Sequence, residues 1–366
     1  MMKIVTVVGA RPQFVKAAAV SREIAKHRAI REIIVHTGQH FDRNMSDIFF
    51  QEMEIPRPDY FLDIHSLEHG AMTGRMLEKI EEVLLVERPD RVLVYGDTNS
   101  TLAGALAAKK LHIDVVHVEA GLRSFNMRMP EEINRILADR ISALLCCPTD
   151  NAVNNLRREG FEDFDCTVLK TGDVMQDAAI YYSTLSPTRS TIVGRMSLTT
   201  DDFALCTIHR AENTDDPLRL ASIVEALNII SRDLRVVLPL HPRTTRALGN
   251  LGIALQCSTL EPVGYFDMLE LLKKSRIVLT DSGGLQKEAF FFAKPCLTLR
   301  DETEWIELCD CGANLLVGSC RDRIVEGFHE MMGRRPEFKT DLYGNGQAGK
   351  RIVEAMFETR SSTREH

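Results

Sequence analysis

The chain has 366 residues, 44% apolar and 27% charged, enough for about two domains that each bury a core. Its 45 basic and 52 acidic residues leave a net charge of −7, which argues against a general nucleic-acid or acidic-membrane binder but allows a local basic pocket for a small anion. No run approaches the roughly 18 apolar residues of a spanning helix, and nothing before Gly9 reads as a secretory signal.

Short β-branched runs at 3–8, 32–36, 91–95, 115–118, 144–147 and 167–171 read as strands, and a second set follows at 203–208, 235–240, 276–280 and 295–299. Amphipathic stretches lie between them at 67–86, 102–111, 218–230 and 323–332. Continuous apolar strands alternating with helices predict parallel sheets covered on both faces. Residues 185–202, rich in Ser and Thr and weakly periodic, read as a loop or a loosely packed insert. The division falls near Thr171-Gly172-Asp173, and the pattern from 349 onward is helical and returns to the first domain. The expected domains are therefore 1–171, joined by 349–366, and 172–348. The nine cysteines form no C-x-x-C pair, and Cys146-Cys147 and Cys309-x-Cys311 are too cramped for a zinc framework. Free thiols in the cytoplasm are the plain reading.

Ligands of open α/β sheets bind beyond the carboxyl ends of strands, so the residues that follow each strand matter most. The first strand runs into Gly9-Ala10-Arg11-Pro12-Gln13-Phe14-Val15-Lys16, where Gly allows a sharp turn and Pro suits a helix start. Arg11 and Lys16 place cations near a positive helix end, and a shared anion explains them better than two solvated charges. The segment is neither a Walker A loop nor G-x-G-x-x-G. The third strand ends in Gly96-Asp97-Thr98-Asn99-Ser100-Thr101, where capping of the next helix is the simple account of Asp97. The fourth ends in His117-Val118-Glu119-Ala120-Gly121-Leu122-Arg123, and strand alternation aims His117 and Glu119 the same way. An acid at each of two neighbouring strand ends is a way to assemble acid–base chemistry. Pro130-Glu131-Glu132-Ile133-Asn134-Arg135 starts a helix whose first-turn acids suit the dipole, and that is the whole account for one of them.

In the second half, strands end in Ile208-His209-Arg210 and in Leu240-His241-Pro242-Arg243. A third leads through Thr280-Asp281-Ser282-Gly283-Gly284 into the helix 285–292. Two histidines beside arginines point to phosphate binding or proton transfer. Ser282 can cap the helix, Gly283 and Gly284 let a phosphate reach its free N–H groups, and Glu288, one turn deeper, can accept ribose hydroxyls. Asp281-Ser282-Gly283-Gly284 looks like the nucleophile segment of trypsin-like proteases, but those are all-β. His117-x-Glu119 opens like a zinc-deaminase signature, but no P-C-x-x-C follows and no metal is implied.

Taken in order, these segments resemble the non-hydrolysing UDP-N-acetylglucosamine 2-epimerases. Arg300-Asp301 and Tyr343-Gly344-Asn345-Gly346-Gln347-Ala348 extend the match over essentially the full chain. The resemblance implies an α/β, GT-B-type fold of two Rossmann-like domains with parallel sheets facing a central cleft that closes on the ligand, and a homodimer formed through the N-terminal domain. It implies conversion of UDP-GlcNAc to UDP-ManNAc through loss of the C2 proton, departure of UDP and a 2-acetamidoglucal, in surface-polysaccharide precursor synthesis, with no metal or nicotinamide cofactor. Asp97, Glu119 and Glu131 are then the acid–base candidates and His209 their partner. Arg11, Lys16, Arg135, His241 and Phe266 join Ser282, Gly283, Gly284 and Glu288 as candidates for binding the UDP-sugar.

Many relatives begin G-T-R-P-E and later read T-E-R-P-E; here Gly9-Ala10-Arg11-Pro12-Gln13 and Thr303-Glu304-Trp305-Ile306-Glu307 stand instead. Both departures resemble the branch acting on UDP-2,3-diacetamido-2,3-dideoxyglucuronate, which is the alternative substrate. Gly38-Gln39-His40-Phe41-Asp42-Arg43 stands where some relatives bind a second UDP-GlcNAc as activator, but departs from their Q-H-R pattern. The rivals of other kinds are a retaining GT-B glycosyltransferase, a hydrolysing epimerase and a non-catalytic UDP-sugar sensor. Three carboxylates in the first domain favour proton transfer at C2 over the transferase and the sensor, and the full-length order of the motifs argues against the hydrolysing enzyme.

Overall fold

In the computed structural model, the apolar runs form two wholly parallel sheets. The structure describes residues 1–39, 56–200, 202–252, 254–334, 336–338 and 341–359, with the side chains of Arg11 and Leu251 left aside. One compact unit comprises Met1–Ile180 and Thr340–His366, the other Tyr181–Lys339. Each is a Rossmann-like domain of the kind paired in GT-B folds.

The first sheet holds β1 (Met2–Val8), β2 (Ile30–His36), β3 (Tyr60–Phe61), β4 (Arg91–Tyr95), β5 (Asp114–Val118), β6 (Leu144–Cys147) and β7 (Thr167–Lys170), in the order β3-β2-β1-β4-β5-β6-β7. Every residue of β4 is buried, as expected of a central parallel strand covered on both faces. The covering helices are α1 (Arg11–Ile24), α2 (His69–Glu87), α3 (Asn99–Lys110), α4 (Pro130–Ile141) and α5 (Asp150–Arg158). In α2 the buried Met76, Ile80, Val83 and Leu84 form one stripe at helical spacing. Helix α3 is instead rich in Ala and Gly, and it lies so close to the sheet that a Cβ on Gly104 would stand 3.1 Å from Val94 and 3.2 Å from Val7.

The second sheet holds β8 (Phe203–Thr207), β9 (Arg235–Pro239), β10 (Ser258–Leu260), β11 (Ile277–Thr280), β12 (Cys296–Thr298) and β13 (Asn314–Leu316), in the order β10-β9-β8-β11-β12-β13. Its helices after α6 (Val174–Arg189) are α7 (Ile192–Arg195), α8 (Ala211–Thr214), α9 (Pro217–Ile230), α10 (Pro242–Leu251), α11 (Tyr265–Lys274), α12 (Gly283–Phe291), α13 (Ile306–Asp310) and α14 (Arg321–Gly333). The last helix, α15 (Ala348–Glu358), belongs to the first unit, where a Cβ on Gly349 would lie 3.0 Å from the Ala19 carbonyl of α1.

Residues 185–202 correct the expectation of a loose segment. Helix α6 continues to Arg189 with Pro187 inside it, and Ile192 and Leu198 are buried against Phe203, Leu205 and Val278. Ile192 and Leu198, with the half-buried Val193 and Met196 between them, are enough to dock a short helix, though the run is too brief to show a period. The strands β3, β10 and β13 were not expected either; they are two or three residues long and sit at or near sheet edges.

In both sheets the strand order reverses beside the first strand of the unit, between β1 and β4 and between β8 and β11. Such a switch point opens a crevice at the strands' carboxyl ends.

Candidate active site

Around the ends of β1, β4 and β5, Gly9 admits no side chain, because a Cβ there would lie 2.0 Å from Thr37 Oγ1 and 2.3 Å from Ser100 Oγ. Gln13 ties this turn together. Its Oε1 accepts from the N–H groups of Gly9 (2.8 Å) and Ala10 (3.0 Å), and its Nε2 donates to the Tyr95 carbonyl (2.8 Å). An ionised glutamate could serve the first two bonds but not the third.

Beyond β4 the chain turns at Gly96 (φ +62°). Thr98, not Asp97, caps α3, its Oγ1 accepting from the Thr101 N–H (3.3 Å). Capping therefore does not account for Asp97. Its Oδ2 accepts from Arg135 (2.5 Å), whose other nitrogen donates to Glu132 (2.8 Å), and the Asp97 side chain stays 29% exposed.

Glu119 follows β5 in the left-handed region (φ 68°), a conformation that costs a non-glycine residue about 1 kcal/mol or more and recurs at functional sites. This turn breaks the alternation expected to aim His117 and Glu119 alike. Glu119 forms a buried ion pair with Lys16, and both groups border the space where a Cβ on Gly96 would be. An anion reaching Lys16 has to share it with Glu119. His117 instead donates to the Gly96 carbonyl.

The two acids of α4 separate cleanly. Glu132 is buried and accepts from the main-chain N–H groups of Ser124 (2.9 Å) and Phe125 (2.9 Å) as well as from Arg135. Burial pushes its carboxyl up, but these bonds outweigh burial and hold it below the usual range. It is a structural brace, while Glu131 is exposed on the helix's first turn.

In the second unit, Asp281 is fully buried and gathers the turn after β8. Its carboxylate accepts from the N–H groups of His209 (3.0 Å) and Arg210 (3.0 Å) and from Asn213 Nδ2 (3.2 Å). His209 Nδ1 lies 3.4 Å from the same carboxylate, and the His209 side chain is 40% exposed. Its ring centroid is 6.1 Å from that of His241. His241 caps α10, its Nδ1 accepting from the Arg243 N–H (3.2 Å), which puts hydrogen on Nε2. Ser282 caps α12 by accepting from the Leu285 N–H (3.4 Å). A Cβ on Gly283 would stand 2.7 Å from Glu304 Oε1, so Glu304, which pairs with Arg300, would have to shift. Glu288 is buried one turn along α12 and accepts from Tyr265 (3.0 Å). Phe266 is buried in the first turn of α11, with its ring 5.9 Å from that of Tyr182.

Sequence reasoning gave Gln13 no role beyond its place in the first motif and gave Tyr265 none. Asp281 was seen only as part of a motif. Among the described residues, no three His, Cys, Asp or Glu side chains stand together as metal ligands, and no helix is long and apolar enough to cross a membrane. Of the segment singled out as a possible activator contact, Gln39 accepts from Ser100 Oγ (2.7 Å), and 40–43 lie outside the described residues.

The family model described as UDP-N-acetylglucosamine 2-epimerase matches residues 22–357. The chain is 58% identical over 97% of its length to a Pseudomonas aeruginosa protein named UDP-2,3-diacetamido-2,3-dideoxy-D-glucuronate 2-epimerase, covering 99% of it. It is 47% identical, with the same two coverages, to a UDP-N-acetylglucosamine 2-epimerase homolog of Methanococcus maripaludis. Among solved structures, the Methanocaldococcus jannaschii UDP-GlcNAc 2-epimerase in complex with UDP-GlcNAc and UDP superposes with a TM-score of 0.90 at 42% identity, over 98% of this chain and 100% of that one.

Proposed function

The chain belongs to the UDP-N-acetylglucosamine 2-epimerase family, and from that premise we propose that it inverts C2 of UDP-2,3-diacetamido-2,3-dideoxy-D-glucuronate without hydrolysing the nucleotide. It is accordingly an isomerase, a sugar-nucleotide 2-epimerase. The observation that carries the choice of substrate is the step in identity, from 42% and 47% for the two archaeal relatives to 58% for the protein named for the diacetamido uronate. The two departures from the commoner motifs support it. Gln13 accepts from the β1–α1 turn and donates to the end of β4, and Trp305 is buried beneath Lys287, whose Nζ lies 4.0 Å from the ring centroid.

In this reading one carboxylate removes the C2 proton while the C1–O bond breaks and UDP leaves with the electron pair. The product is a 1,2-unsaturated sugar. A second carboxylate then delivers a proton to the other face of C2 as UDP adds back. Asp97, Glu119 and Glu131 are the proposed proton-transfer groups, and the family resemblance adds His209 to the catalytic candidates. The arrangement supports this, because Asp97 and Glu119 are each held by a cation, Arg135 and Lys16, so their oxygens are oriented before substrate arrives. Charge developing on the departing diphosphate is met by donors at the start of α12, from Ser282 to Gly284, and by His241, and Glu288 takes the ribose.

UDP-GlcNAc is the second reading of the substrate, supported by the family's description and by the UDP-GlcNAc held in the archaeal relative. A UDP-sugar substrate and nine free thiols fit the cytoplasm. Exposed Ile133 and Leu137 on α4, beside Gly70 and Gly74 on α2, support a homodimer through this unit, and light scattering at a molecular mass of one chain would refute it.

The deciding experiment is proton NMR in deuterated water with each sugar nucleotide. Deuterium should enter C2 of the diacetamido uronate as its epimer accumulates, with kcat/KM for UDP-GlcNAc at least about 100-fold lower. Preference for UDP-GlcNAc would overturn the substrate and keep the reaction. Silence with both, in a protein that binds UDP, would favour the transferase.

A further inference from the structure

His117 is fully buried, and both of its ring nitrogens are engaged. Nε2 lies 2.7 Å from the Gly96 carbonyl oxygen, which can only accept, so Nε2 carries hydrogen. Nδ1 lies 2.7 Å from Asp139 Oδ1. The other Asp139 oxygen accepts from Arg123 (2.7 Å) and from the Gly121 N–H (3.1 Å), and Arg123 makes a two-pronged contact with Glu159 (2.7 and 2.8 Å). Burial pushes the Asp139 carboxyl up, but the His117 and Arg123 side chains outweigh it and hold it below the usual carboxylate range. A ring clamped on both nitrogens cannot turn without breaking this chain.

What the clamp holds is Gly96. Its N–H donates to the Val118 carbonyl (2.9 Å) and its carbonyl accepts from His117, so both polar groups of this left-handed residue are tied to β5. Asp97 is the next residue. On the side where a Cβ would project, Lys16 Nζ and Glu119 Oε2 stand 3.1 and 3.3 Å away.

We propose that His117 is a positioning residue for proton transfer at C2, its bond to the Gly96 carbonyl setting the turn that aims Asp97 and makes room for the Lys16–Glu119 pair. The inference rests on the epimerase reading, and it makes His117 more than a satisfied core histidine. A misplacement of a reacting group by about 1 Å can cost on the order of 100-fold in rate, so a role in positioning is read in kcat.

The test compares two substitutions that each give up one buried hydrogen bond. In His117→Gln the amide nitrogen takes the place of Nε2 and keeps the Gly96 bond. In His117→Asn it takes the place of Nδ1, keeping Asp139 and leaving the Gly96 carbonyl without its donor. His117→Gln is expected to stay within about tenfold of wild-type kcat and His117→Asn to lose about 100-fold, with KM within about threefold and similar melting temperatures for both. Equal losses in the two variants, or none in His117→Asn, would overturn the inference. Wild type is assayed alongside, so failure of the epimerase reading shows instead as a silent wild type. A further arm needs no variant to fold: in ¹⁵N-histidine spectra of the wild-type protein, one of the eleven histidines should keep a ring N–H against exchange into deuterated water. If every ring N–H exchanges at once, the Gly96 bond is not held and the inference falls.

Discussion

In the first unit the carboxyl ends of β1, β4 and β5 are crowded with charged side chains that answer one another, Lys16 with Glu119 and Arg135 with Asp97. In the second unit the ends of β8 and β11 are built from main-chain N–H groups, gathered around the buried Asp281 or pointing out from the start of α12. In the proposed epimerase the two do different work. Paired side chains hold a carboxylate's oxygens in a fixed direction, which suits proton transfer. Main-chain donors fixed by the fold cost nothing to orient and carry no proton to lose, which suits a diphosphate.

This contrast breaks first if removing charge from one end does not spare the other. Glu119→Gln keeps the shape and removes the base; it is expected to lower kcat by about 1,000-fold while UDP affinity, measured by calorimetry, changes little. A comparable loss of UDP binding would mean that both ends act on the nucleotide.

A second test uses an aspartate that, like Asp281, accepts from main-chain N–H groups. Asp177 in α6 accepts from the N–H groups of Ala348 (3.1 Å) and Gly349 (2.8 Å) at the start of α15, yet burial outweighs those bonds and pushes its carboxyl up to about 6. A raised carboxyl binds its proton more tightly when folded, so its stabilisation is complete below about pH 4 and is lost as pH rises through about 6. Asp177→Asn keeps an acceptor without the charge. Its stability, followed by thermal melting, should gain on wild type between about pH 4 and 6, the difference levelling at roughly 3 kcal/mol above that window. The reverse trend, a variant weakest at pH 7.5, would mean that the helix dipole favours the charge more than burial opposes it.

The smallest expected effect probes the second unit. Gly283→Ala brings a Cβ against Glu304 Oε1 at 2.7 Å, and the needed shift disturbs the donors at the start of α12. UDP affinity should fall by about tenfold, or ~1.4 kcal/mol, with C2 exchange at saturating substrate nearly unchanged. An unaltered affinity would remove α12 from the diphosphate site.

What the sequence determined by itself is the local and the periodic. Ten strands were visible as apolar runs, because a parallel strand covered on both faces must be apolar throughout. The residues after those strands were visible as candidates, because ligands of such sheets bind there. Strands of two or three residues such as β3 and β13 were not, since so short a run has no period to read. Nor could the sequence say which polar residue braces and which remains available. Glu131 and Glu132 are neighbours of the same chemistry, yet Glu132 is consumed by the 124–125 turn and Arg135 while Glu131 faces solvent. Asp97 looked like a helix cap until Thr98 took that place. Asp139 and His117, 22 residues apart, become one clamp only when α4 packs against β5. A hydrogen bond needs its partner within about 3 Å. For side chains far apart in the chain, tertiary packing alone decides which partner that is.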